Sequence, residues 1–129
     1  MRAAEINVRT GQVVNAAMKV HTILGPGLLE NVYEACLAHE LRKRGLNVQR
    51  QVPHPVEYDG ERIELGYRLD LIVDDVVVVE LKAVTKMLTL YEAQLLSYLK
   101  LSKYPVGLLM NFHSPRLKDG IKRLLSVPL

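Results

Sequence analysis

The stretch Asp70-Leu71-Ile72-Val73-Asp74-Asp75-Val76-Val77-Val78-Val79-Glu80-Leu81-Lys82 holds two apolar, β-forming runs around a short acidic turn. Each run carries a carboxylate, Asp70 or Glu80, where a buried strand favours Val or Ile. Lys82 follows Glu80 after a single leucine. Burying a charge is costly unless it is paired or binds something. Two acids and a lysine at the ends of such strands therefore need a physical reason.

Register supplies a condition for that reason. Glu80 and Lys82 share one face of a strand, about 6.6 Å apart along it. If Asp74-Asp75 formed a two-residue turn, Val73 would pair with Val76, and Asp70 and Glu80 would point to opposite faces. A three-residue connection or a bulge between Val73 and Val77 instead pairs Asp70 with Glu80. Their Cβ atoms then lie about 5 Å apart, a span suited to two ligands of one hard cation. The sequence reading commits to that irregular connection.

These residue types suit phosphodiester hydrolysis. Mg²⁺ prefers oxygen ligands and keeps several waters, so a few carboxylates suffice. Such an ion offsets phosphate charge and acidifies water. Carboxylates around Lys82 favour its charged form, so its expected role is positioning and electrostatic stabilisation. Taken singly, each of the three has a plainer reading as part of a surface ion pair.

The chain outside this stretch reads as alternating helix and strand. Thr10 is a candidate cap for a helix to about Leu24, with Val13, Val14, Ala17, Val20 and Leu24 at helical spacing. Gly25-Pro26-Gly27 breaks it, and a second helix runs to about Arg44 and stops at Gly45. Its stripe is Leu29, Tyr33, Cys36, Leu37 and Leu41. Val48 to Tyr58 reads as a strand whose Pro53 and Pro55 mark an edge, and Asp59-Gly60 as a hairpin turn. Strands follow over Arg62 to Val73 and Val76 to Val84, then a helix over Leu88 to Leu101 and a strand over Tyr104 to Phe112. Ser114-Pro115 is read as the start of a last helix. The fold class is α/β: a mixed sheet of about four strands flanked by helices, a meander of three strands and a crossover helix feeding one more.

Two helices can add to the acidic hairpin. Glu30 lies at the shoulder of the second helix's stripe and could supply a third carboxylate. As a first-turn acid it also suits the helix dipole. Glu34 falls further out and is expected to face solvent. Glu40 lies within the stripe but about 15 Å along the axis from Glu30, so both cannot serve one ion. Gln94 and Tyr98 are four apart and project side by side, able to hydrogen-bond a phosphate or a water. Their plainer readings are a surface amide and a core ring with a wet tip.

Composition narrows the setting. The 129 residues suit a single domain, 1–129, and at 49% hydrophobic and 24% charged they have the balance of a soluble globular protein. No apolar run approaches the roughly 20 residues that span a bilayer, so no membrane partner is expected. The amino terminus lacks the apolar stretch of a signal peptide. The lone Cys36 cannot form an internal disulfide, and a reducing cytoplasm is the default. It falls on the apolar stripe and is read as core. His21, His39, His54 and His113 match no zinc spacing. The net charge of +3 permits a nucleic-acid partner. Arg42-Lys43-Arg44 and the set Arg116, Lys118, Lys122 and Arg123 read, on charge alone, as solvated helix ends.

Read together, these residues resemble a known pattern. Gly27-Leu28-Leu29-Glu30-Asn31-Val32-Tyr33 matches the signature of the GxxExxY proteins, a family of the PD-(D/E)xK nuclease superfamily. Val20 to Gly27 and Asn111-Phe112 are also similar to that family, and the likeness runs from about Thr10 to Leu125. The resemblance implies a restriction-endonuclease-like core. It makes Asp70 the first acidic motif, Glu80 and Lys82 the E-x-K part, and Glu30 the helix-borne acid. Gln94 and Tyr98 match the Q-x-x-x-Y motif of recombination-type exonucleases. Leu69 stands where the superfamily's name has proline, a variable position. The implied function is a Mg²⁺-dependent nuclease, with Mn²⁺ as a substitute and DNA favoured over RNA. Glu30, Asp70 and Glu80 would hold the ion, with the carbonyl of Leu81 as a further candidate ligand. The rival readings are a binding module that keeps the fold without catalysis, and a subunit active only in a homodimer or larger complex. His21 falls in a family motif too, and is read as making a local hydrogen bond at a helix end.

Overall fold

A computed structural model describes residues 1–126, apart from the side chain of Leu65. The end of the single-domain span 1–129 thus lies outside the described residues. Helix α1 (Ala3–Leu24) buries Ile6, Thr10, Val13, Ala16, Ala17, Val20 and His21, a stripe at helical spacing. It begins a full two turns before the expected cap. Ile6 continues the apolar stripe, and the Thr10 hydroxyl donates to the Asn7 carbonyl inside the helix instead of capping its start. Gly25, at a φ of 70°, ends α1 by donating its N–H to the His21 carbonyl. Helix α2 (Glu30–Lys43) buries Tyr33, Leu37, Ala38 and Leu41.

Strands β1 (Val48–Tyr58), β2 (Glu61–Val73) and β3 (Val77–Lys82) form the expected meander. Helix α3 (Thr89–Ser102) then crosses over to β4 (Val106–Asn111), which pairs in parallel with β3. β1 is the sheet edge, as its prolines require.

The expected last helix is absent. A 3-10 turn over Leu117–Gly120 leads into β5 (Ile121–Leu125), antiparallel to β4, giving a five-stranded sheet in the order β1-β2-β3-β4-β5. Two constraints override the helical reading. A Cβ at Gly120 would stand 2.3 Å from the Ser114 hydroxyl oxygen, so the chain turns where only glycine fits. Beyond it, Ile121 packs with one core and Leu124 with the other, a strand's alternation across the sheet. β5 also satisfies the hydrogen-bonding edge that β4 would otherwise expose.

The sheet separates two apolar layers. On one face α1 and α2 pack over Leu71, Val73, Val77, Val79 and Leu81. On the other, α3 packs through Leu95 and Leu99 over Leu69, Ile72 and Val78. Strand parity slips in β1 and β2. Val48 and Val52 are an even number of residues apart yet face different layers, as do Leu69 and Leu71. In β1 the break falls at Gln51, whose φ is 50°.

The turn between β2 and β3 has the irregular form that the shared-face condition demands. Val73 pairs with Val77, leaving Asp74, Asp75 and Val76 as the connection. Asp74 and Asp75 both lie in the left-handed region, at φ of 52° and 54°. Asp74 is fixed there: its N–H donates to the Asn47 carbonyl and its carboxylate accepts the Asn47 N–H at 2.8 Å. Asp75 is exposed, and its left-handed backbone is strained for a residue with a Cβ. Replacing Asp75→Gly should therefore stabilise the protein by about 0.5–1 kcal/mol, read as a raised urea midpoint. An unchanged or lowered midpoint would show that the carboxylate does more for the turn than its backbone costs.

Candidate active site

The β2–β3 pairing ends at Leu71 opposite Val79. One step further the same register sets Asp70 opposite Glu80, and side chains replace the backbone ladder. The Asp70 N–H donates to Glu80 Oε1 at 3.2 Å, and the Leu81 N–H donates to Asp70 Oδ2 at 2.9 Å. Each acid thus anchors the neighbouring strand. Glu80 is 8% exposed, and the two carboxyl groups stand together in a largely dry place.

Electrostatics follow from that burial. Desolvation, then the neighbouring charge of Asp70, pushes the Glu80 carboxyl up to about 8. Desolvation also raises Asp70, opposed by the hydrogen bond from Leu81. The pair therefore retains a proton where ordinary carboxylates have lost theirs. Among the described residues neither acid takes part in an ion pair.

Lys82 shares the α3 face of β3 with Glu80, and its Nζ lies 4.5 Å from the centroid of the Tyr91 ring. That cation–π contact fixes the ammonium beside the acids. Tyr98 stacks on Tyr67 with centroids 4.2 Å apart. Its phenol is raised by burial, then by the charges of Glu80 and Asp70, which sets it within electrostatic reach of the pair. Gln94, half-buried, lies one turn before Tyr98 on α3.

Glu30, the first residue of α2, is exposed at the rim. Its carboxyl is raised by partial desolvation and then by Asp70, so it too lies near the pair. Its position depends on Tyr33, which is fully buried. The Tyr33 hydroxyl donates to the Gly25 carbonyl and accepts the Leu28 N–H at 3.1 Å, while its ring stacks on Phe112. These contacts bind the Gly25–Leu28 loop to the core and set where α2 starts.

Two expectations need correction. Glu34 does not face solvent: it is 5% exposed and held by Arg50 and Gln51. The helix period places it off the stripe, but β1 covers that flank of α2 with two donors. His21 bonds far along the chain, its Nε2 lying 2.9 Å from the Ser114 carbonyl oxygen. The residues that the sequence reading missed are Arg50 and Gln51, whose meeting with Glu34 depends on the parity break in β1. Glu40 is tied to Lys19 and Arg44, away from the pair. Much of the basic charge is occupied locally as well, Arg42 on the Val48 carbonyl, Lys122 on Glu92 and Arg123 on Asn7.

A family model described as the PD-(D/E)XK nuclease superfamily matches residues 7–124. The chain belongs to that superfamily. No curated protein and no solved structure matches it. As a PD-(D/E)XK protein it has the α/β architecture of a restriction-endonuclease-like core, with five strands where about four were expected. The superfamily's nucleases typically use divalent metal ions.

The donor set can be tested against that chemistry. Among the described residues no three His, Cys, Asp or Glu side chains group closely enough to cage an ion. Two desolvated carboxylates that form no ion pair among the described residues are nonetheless a suitable donor set, because Mg²⁺ usually binds through one or two carboxylates and keeps its remaining sites for water and phosphate.

The raised Glu80 carboxyl has a consequence for stability. The native state binds this proton more tightly than the unfolded chain, so stability falls as pH rises. In the metal-free protein the contribution is full below about pH 4.5 and is lost by about pH 8. Glu80→Gln should flatten this slope and stabilise the metal-free fold near pH 8, by on the order of a few kcal/mol. Urea denaturation across this pH range measures both slopes, and equal slopes would place Glu80 in a solvated setting.

Proposed function

We propose that this PD-(D/E)XK protein is a metal-dependent nuclease that hydrolyses phosphodiester bonds of nucleic acid, with DNA favoured over RNA. The observation that carries the reading is the Asp70–Glu80 pair, set side by side, in no ion pair among the described residues, with Lys82 two residues beyond Glu80 on the same face of the strand. Mg²⁺ is the favoured ion and Mn²⁺ its substitute. Asp70 and Glu80 would hold it, with Glu30 reaching in from the rim and the Leu81 carbonyl as a further ligand.

When bound, such an ion would neutralise phosphate charge and acidify water. The remaining work falls to the chain's own groups. Lys82 supplies a positive charge held in place by Tyr91, available to a phosphate oxygen as charge builds on it. Gln94 and Tyr98, one helical turn apart, orient the substrate or the attacking water. Superfamily membership over residues 7–124 supports a nucleic-acid partner. We read residues 1–129 as one domain and place it in the cytoplasm, in keeping with a lone thiol, Cys36, packed against the core. No helix is long and apolar enough to cross a membrane among the described residues.

A cleavage panel tests this: single- and double-stranded DNA and RNA with Mg²⁺ or Mn²⁺, for the wild type, Asp70→Ala and Lys82→Ala. The wild type should cut, and each variant should be slower by on the order of 100-fold or more. Variants that cut as well as the wild type would show the site to be misassigned. An inactive wild type that still binds the ion would favour a binding module or a subunit that needs its complex.

A further inference from the structure

Gln51 occupies an unusual position in β1. It is a non-glycine residue with a φ of 50° inside a strand. On a regular strand Arg50 and Gln51 would point to opposite faces. Here both reach one carboxylate: Arg50 Nη2 donates to Glu34 Oε2 at 3.0 Å, and Gln51 Nε2 donates to Glu34 Oε1 at 2.6 Å. The left-handed backbone at Gln51 is what brings the two side chains together.

The same amide nitrogen lies 3.4 Å from Asp70 Oδ1. An amide NH₂ has two protons, and these two are directed at two carboxylates. The assignment of nitrogen rather than oxygen at this point follows from its partners, since both are acceptors. Asp70 Oδ2 is meanwhile occupied by the Leu81 N–H. The Asp70 carboxylate is thus gripped from both sides, by the β3 backbone and by β1.

We infer that Gln51 is a positioning residue for Asp70, oriented by the buried Glu34, whose other oxygen is held by Arg50. Glu34 and Arg50 fix the amide, and the amide fixes the rotation of the Asp70 carboxylate. The inference rests on the proposed role of Asp70 as an ion ligand. Outer groups that orient a ligand typically change ion affinity by roughly 10- to 100-fold when removed.

Gln51→Gly makes the decisive variant. Glycine accepts the left-handed backbone without strain, so the fold should be kept or strengthened while the amide is lost. Mn²⁺ affinity by calorimetry should fall by about tenfold or more relative to the wild type. In the ion-free protein the Leu81 amide proton, a direct reporter of Asp70, should change its NMR shift and exchange faster. Glu34→Gln, which keeps an acceptor for the amide, should lose less than Gln51→Gly. A Gln51→Gly protein with wild-type stability, ion affinity and Leu81 amide signal would overturn the inference. Failure of the wild type to bind Mn²⁺ would instead count against the ion site, and the Leu81 signal would still decide whether Gln51 orients Asp70.

Discussion

The length of the reversal between β2 and β3 is the constraint on which the acidic site depends. With Asp74, Asp75 and Val76 in the connection, Val73 meets Val77 and Asp70 comes to stand opposite Glu80. One residue fewer would send the two acids to opposite faces, because side chains alternate with a period of two. The turn requires consecutive left-handed residues. One is Asp74, whose partners at Asn47 hold it. A loop some distance along the strands from the carboxylates thereby decides whether they can act together.

The acids then take over part of the sheet's own bonding. Where regular pairing ends, the Glu80 carboxylate accepts the Asp70 N–H and the Asp70 carboxylate accepts the Leu81 N–H. This satisfies peptide donors that would otherwise be buried without partners. It also fixes both side chains before any ligand arrives. The arrangement leaves two acids crowded in a dry setting, which the raised Glu80 carboxyl registers directly. Apolar layers on both sides of the sheet make such a local cost tolerable, and function is the usual reason a fold retains one.

The signature segment Gly27 to Tyr33 divides between architecture and chemistry. Gly27, at a φ of 105°, and the buried Tyr33 shape the loop and hold it against Phe112. Glu30, by contrast, lies within electrostatic reach of the acidic pair. A motif of this kind is recognisable in the sequence because its spacing is fixed by packing as well as by chemistry. The tyrosine is as demanding in its place as the acid.

The sequence alone determined the order of elements through β4, the edge position of β1, and the irregular β2–β3 turn with its consequence for Asp70 and Glu80. These follow from local properties: apolar period, proline and glycine placement, and strand parity. The sequence did not disclose β5, because Ile121 to Leu125 suits either a helix or a strand until β4 offers an edge. Nor did it disclose the burial of Glu34, which helix periodicity alone turns outward. That burial comes from β1, where a parity break at Gln51 brings two donors onto the flank of α2. Local preference decides what a segment can be, while the partner on an open edge or an uncovered face is a non-local fact. Only the tertiary structure supplies it.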